Sequence, residues 1–189
     1  MEKRHRVFIA INLPEEVKRE LFAYSEKFAE LPAKWTPKDN LHITLEFLGT
    51  LTDEEIGEVC LVAKEVAERH SSFSLNVNQI LYGPPKKLPP KMVWAEGEKS
   101  EELSLLREDL ENSLTEKVKF VPENRTFAPH ITLARISSFA WKQIEPEERP
   151  EINGMFDLPF DVESIEVMES EMKRGGPVYT ILESHNLKL

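Results

Sequence analysis

The chain carries one tetrapeptide twice, as His42-Ile43-Thr44-Leu45 and as His130-Ile131-Thr132-Leu133. Only five histidines are present, and two of them precede the same three residues. From average residue usage, a given His precedes Ile-Thr-Leu with probability on the order of 10^-4 to 10^-3, so coincidence explains the second copy poorly. Each copy lies in an apolar run that reads as a strand. The first spans Leu41 to Leu48, between Asp39-Asn40 and Gly49, and the second runs from His130 to Ile136. Successive strand side chains point to opposite faces, so His42 and Thr44 share one face, and Ile43 and Leu45 the other. The same holds for His130 and Thr132 against Ile131 and Leu133. Leu41 and Phe47 extend the apolar face of the first copy.

Two such strands facing one cleft supply two imidazoles and two hydroxyls. That set suits phosphodiester hydrolysis. A neutral imidazole takes a proton from water, and an imidazolium gives one to the leaving oxygen. An ordinary histidine titrates near ~6.5, where both forms are accessible. The hydroxyls of Thr44 and Thr132 can donate to non-bridging phosphoryl oxygens, where charge accumulates. One His-x-Thr pair alone would read as local hydrogen bonding; two copies favour chemistry. Zinc needs three or four protein ligands, and no His-x-x-x-His or Cys-x-x-Cys spacing supplies them. No metal and no cofactor is therefore expected. His5, His70 and His185 sit in polar contexts and read as exposed and structural.

The net charge of -10 argues against sequence-independent grip on long nucleic acid, though not against a small phosphate ligand in a basic cleft. The single cysteine, Cys60, excludes an intrachain disulfide and suits a reducing compartment. Val7 to Leu13 is a poor signal peptide, and no stretch approaches the ~20 apolar residues that span a bilayer. A soluble, cytoplasmic monomer with no membrane partner is expected.

Along the chain, Val7 to Ile11 reads as a buried strand. Pro14 opens a helix whose apolar positions run from Val17 through Leu21, Tyr24 and Phe28 to Leu31. A second helix is expected from about Asp53 to Arg69, with Cys60 on its inner face as a core residue. Phe73 onward alternates as a strand, 83–91 is a proline-rich loop, and Met92 to Ala95 is a strand. Leu103, Leu106, Leu110 and Leu114 mark a third helix, followed by a turn-rich stretch to Pro129. A short helix is expected from Ser138 to Ile144. Phe156 to Val167 and Val178 to Leu187 read as two closing strands. One motif strand and one long helix per half suggest internal duplication.

Paired His-x-Thr-x motifs are the mark of the 2H phosphoesterases. Within them the chain resembles the RNA 2',3'-cyclic phosphodiesterases, also called 2'-5' RNA ligases. The resemblance rests on Arg6 to Pro14, Trp35 to Gly49, Val93-Trp94-Ala95, Phe127 to Arg135, Glu169-Ser170 and Gly176 to Tyr179. Asn12 stands where the family often has Asp. The resemblance implies an α+β fold, with two pseudo-symmetric lobes of antiparallel sheet and outer helices around a central cleft, and residues 1–189 as one bilobal domain. It implies hydrolysis of a 2',3'-cyclic phosphate at an RNA end to a 2'-phosphate, with 2'-5' ligation as a side activity. It makes His42 the proton donor to the departing 3' oxygen, His130 the base, and Arg135 a phosphate contact. Arg135 has the wrong parity for the cleft in a regular strand; a bulge or strand end at Ala134 would re-aim it. Lys86, Lys87, Lys91, Lys173 and Arg174 are solvated loop charge that can help hold RNA. Phe47 and Trp94 offer faces for base stacking but read as core. The alternatives are a 2'-5' oligonucleotide phosphodiesterase and a non-catalytic module that binds RNA ends or nucleotides.

Overall fold

The computed structural model describes residues 3–118, 120–122 and 127–189. The apolar run at the start forms β1 (His5–Asn12), and the first motif opens β3 (His42–Leu51) beside it. The remaining elements are α1 (Glu15–Phe22), α2 (Tyr24–Lys27), β2 (Ala33–Trp35), α3 (Asp53–Ala67), β4 (Phe73–Gly83) and β5 (Met92–Gly97). Then come α4 (Glu101–Val118), β6 (Ile131–Ile136), α5 (Ser138–Trp141), β7 (Gly154–Val162), β8 (Ser164–Lys173) and β9 (Gly176–Asn186). The strands form one sheet in the order β7-β4-β5-β6-β3-β1-β8-β9, with β2 added on β6, and every ladder between them is antiparallel.

Apart from β2, four strands lie on each side of the β3–β6 junction, so the two expected lobes are halves of one curled sheet. The junction is a single residue pair, Ile43 opposite Ile131. Beyond it β6 pairs with β2 instead, and the two motif strands part.

One face of the sheet is the core. Ile9, Ile11, Ile43, Leu45, Ile131 and Leu133 pack there against Val59 and Val66 of α3 and the four buried leucines of α4, Leu103, Leu106, Leu110 and Leu114. Fully burying one such leucine contributes ~1.5–3 kcal/mol, which is why the helices cover this face. Thr52 caps α3: its hydroxyl accepts from the Glu55 amide at 3.2 Å, and its own amide donates to the Glu55 carboxylate at 2.8 Å. Cys60 is buried, as its helical position implies.

Several expectations need correction. The helix expected from Pro14 to Leu31 breaks at Ala23 into α1 and α2, and Tyr24 packs on Phe156 of β7 at 5.8 Å. The strand expected from Phe156 to Val167 is two strands that turn at Glu163. The short β2 was not foreseen. The turn-rich stretch before Pro129 includes residues 119 and 123–126, which lie outside the described residues. His5 and His185 are buried rather than exposed, and His70 is half-buried. Carboxylates account for two of these positions: His5 lies 3.0 Å from Asp53 and 2.6 Å from Glu169, and His70 lies 2.9 Å from Asp109.

Candidate active site

Because Ile43 and Ile131 face each other on the core side, their neighbours all project from the opposite face. The antiparallel register sets His42 toward Thr132 and Thr44 toward His130. The sheet thus brings together both halves of the doubled motif at its centre.

Each imidazole is held in the same way. His42 Nδ1–H donates to the Asn40 carbonyl at 2.7 Å, and His130 Nδ1–H donates to the Ala128 carbonyl at 2.8 Å. These bonds assign the tautomer and leave both Nε2 atoms to the cleft. Thr44 Oγ1 lies 3.0 Å from His42 Nε2 and donates to it when the ring is neutral. Asn40 is itself buried, and its side-chain amide donates to the Pro177 carbonyl at 2.8 Å. That bond ties the β8–β9 hairpin to the site and seats Tyr179 edge-on against His42, with centroids 5.2 Å apart. Phe8 flanks the same imidazole at 5.0 Å. Phe8, Ala10, Met168 and Tyr179 form a small apolar cluster of their own, separate from the main core.

His130 has a different neighbour. The Trp94 ring stacks on it at 3.8 Å and 20°. Gly83 makes room for that indole, since a Cβ there would lie 2.3 Å from Trp94 Cδ2. Trp94 is only 6% exposed but pairs with Thr132, which places it beneath the cleft rather than in the core. Phe47 also departs from its core assignment, being 54% exposed.

The reason is a pair of bulges. Across from β5, Ala134 pairs with Val93 and Thr132 with Trp94, leaving Leu133 unmatched. Across from β1, Glu46 pairs with Ile9 and Thr44 with Ala10, leaving Leu45 unmatched. Leu45 and Glu46 are buried consecutively, as are Leu133 and Ala134, and parity flips after each pair. Phe47 and Arg135 are therefore re-aimed to the face of the Thr residues. The bulge sits at Leu133, one residue earlier than expected, and turns Arg135 into the cleft.

Electrostatics agree with that placement. Burial pushes His42 down to about 4, with the positive charges of Lys18, His130 and Arg135 adding to it and the bond to Asn40 opposing it. Burial also lowers His130, and Arg135 adds to that shift. Cys60 is no rival nucleophile: burial and a hydrogen bond with Glu183 push its thiol up to about 12. Among the described residues, no cluster of three metal-ligating side chains includes His42 or His130. The basic loop residues contribute less directly. Lys173 pairs with Glu171 at 3.0 Å, while Lys34 of β2, not singled out from the sequence, donates to the Gly175 carbonyl at 2.9 Å.

The sequence profile described as LigT like Phosphoesterase matches this chain twice, over residues 11–94 and again over 95–179. The chain belongs to this family. The two LigT-like matches divide the chain into halves that carry one motif each, which accords with internal duplication. An RNA 2',3'-cyclic phosphodiesterase of Thermus thermophilus is 34% identical over 188 residues, covering 97% of this chain and 90% of the relative. One of Thermotoga maritima is 31% identical over 182 residues, covering 94% and 92%. The crystal structure of TT0787 of Thermus thermophilus matches with a TM-score of 0.82 at 31% identity, covering 97% of this chain and 98% of that one. E. coli LigT complexed with 3'-AMP matches with a TM-score of 0.81 at 28% identity, covering 99% and 100%. The LigT-like fold is thus α+β with a curled antiparallel sheet, as expected. No helix among the described residues is long and apolar enough to cross a membrane.

Proposed function

We propose that this LigT-like phosphoesterase opens the 2',3'-cyclic phosphate at an RNA end to a 2'-phosphate, using His42 as acid and His130 as base. The observation that carries the reading is the pair of imidazoles with both Nδ1 atoms tied to backbone carbonyls and both Nε2 atoms facing one cleft. Water attacks phosphorus from the His130 side and passes its proton to Nε2. The bond from phosphorus to O3' breaks on the opposite side, and His42 Nε2 delivers the proton that makes the 3'-hydroxyl. Thr44, Thr132 and Arg135 stabilise the charge on the non-bridging oxygens. For His42 to carry its proton, the Thr44 hydroxyl must turn from Nε2; a phosphoryl oxygen gives it somewhere to go.

Both motifs come from one chain, which supports a monomeric enzyme. The lone buried cysteine suits work in the cytoplasm. The deciding experiment is to incubate the protein with a short RNA ending in a 2',3'-cyclic phosphate, in EDTA, and identify the product. A 2'-phosphate at undiminished rate is expected. A 3'-phosphate would contradict the acid–base assignment, and loss of activity on chelation would contradict metal-free catalysis. Binding without turnover at any pH would leave only an RNA-end-binding module.

The pH dependence follows from the lowered imidazoles. The competent free form needs His42 protonated and His130 neutral. Since both values are pushed down, kcat/KM should peak on the acid side of the ordinary ~6.5. A bound phosphate anion favours the imidazolium and lifts His42. The alkaline limb of kcat should therefore lie at higher pH than that of kcat/KM. Superimposable profiles would count against the assignment.

A further inference from the structure

We propose that Cys60, Glu183 and His185 form a divalent-metal site of the zinc class on the helix-covered side of the sheet, apart from the cleft. Glu183 and His185 occupy alternate positions on β9 and so lean the same way, toward Cys60 of α3. One ligand atom from each lies within 4.8 Å of the other two. His185 Nε2 and a Glu183 oxygen are 3.9 Å apart, so the exposed Glu183 side chain need close by only about 0.5 Å to share one tetrahedral zinc with the imidazole.

Two further observations point to a ligand. His185 is 6% exposed, and its Nε2 has no hydrogen-bond partner among the described residues. A buried imidazole nitrogen without a partner is costly, and a metal ion would satisfy it. A cavity of about 380 Å³ reaches two of the three ligands, Cys60 and Glu183, with His5, Asp53 and Lys64 on its walls. The cavity gives an ion a way in and leaves room for water as the fourth ligand.

The donor set selects the metal. Sulfur, imidazole and carboxylate together suit zinc, whereas magnesium and calcium prefer oxygen alone. Binding exchanges a proton for a metal–sulfur bond: the Cys60 thiol releases its proton to solvent, and no electrons are transferred. The ion would join the edge strand β9 to α3. No ligand spacing in the sequence reveals this set, because Cys60 lies too far along the chain from Glu183 and His185.

The experiment uses the full chain, stripped with chelator and titrated with zinc or with cobalt as a spectroscopic probe. One equivalent of zinc should bind and raise the thermal midpoint. Cobalt should give a sulfur-to-metal charge-transfer band that Cys60→Ser abolishes. Glu183→Gln, at an exposed position that folding tolerates, should weaken zinc by about tenfold or more. His42→Ala/His130→Ala should keep the full equivalent, which excludes the cleft as the binding place. Hydrolysis of a cyclic phosphate should be unchanged in Cys60→Ser. The proposal is overturned if zinc fails to bind stoichiometrically, if cobalt binds without the sulfur band, or if Glu183→Gln binds zinc as the parent does.

Discussion

His130→Ala should lower kcat on a 2',3'-cyclic nucleotide by roughly 10^2- to 10^4-fold, and His42→Ala by a similar factor. The double variant should lose little more than either single one, because acid and base act in one transition state. Folding should survive. Both rings project from the open face, while Ile43 and Ile131 between them hold the strands together on the core side. Circular dichroism and the thermal midpoint check the fold, and steady-state hydrolysis checks the chemistry. Parent-like turnover in both single variants would sink the two-histidine mechanism. The imidazoles also have different neighbours. Losing His130 uncovers the Trp94 ring, whereas losing His42 leaves a hollow beside the edge-on contact of Phe8 and Tyr179.

Arg135→Ala should cost roughly 10^2- to 10^3-fold in kcat/KM, the usual effect of removing one donor to a developing oxyanion. Arg135→Lys should recover part of this, because it keeps the charge and loses the planar fork. A second readout separates a role in the cleft from a structural one. The guanidinium lowers both imidazoles, so its removal lets both values rise. Both limbs of the kcat/KM profile should then move to higher pH. An arginine that merely closed the end of β6 would leave the profile where it was.

The chemistry was legible because it is written locally. Parity within four residues assigns His42 and Thr44 to one face, and repetition assigns the second copy the same role. The neighbours were less legible. A regular alternation misplaces Phe47, and it points Arg135 away from the cleft unless a bulge intervenes; a bulge skips one residue in each strand. Half of the signal was present: Leu133-Ala134 puts two apolar residues in succession, whereas Leu45-Glu46 keeps a regular alternation and hides the first bulge. The turn at Glu163 left a similar trace. Apolar positions are even-numbered from Phe156 to Val162 and odd-numbered at Ile165 and Val167. Tyr179 and Asn40 meet at the site through the β8–β9 hairpin, whose turn Lys34 also holds. That contact depends on long-range packing, and no local pattern encodes it. The buried state of His5 and His185 was hidden for the same reason, since their surroundings come from α3 and from strands distant in the chain.

The single Ile43–Ile131 pair has a consequence for direction. It relates the two motifs by a local two-fold axis, so the groups on the two sides of the cleft are near copies. Any step that water and His130 perform from one side, an alcohol and His42 can perform in reverse from the other. The site is a catalytic palindrome. In the proposed mechanism, ring opening by water or by a second RNA hydroxyl and its reversal run through one set of groups, with the proton roles exchanged. What breaks the palindrome is the residue after each bulge, Phe47 in one strand and Arg135 in the other. Together with Phe8 and Tyr179 beside His42 and Trp94 against His130, that difference gives a nucleotide a reason to lie in one sense and not the other.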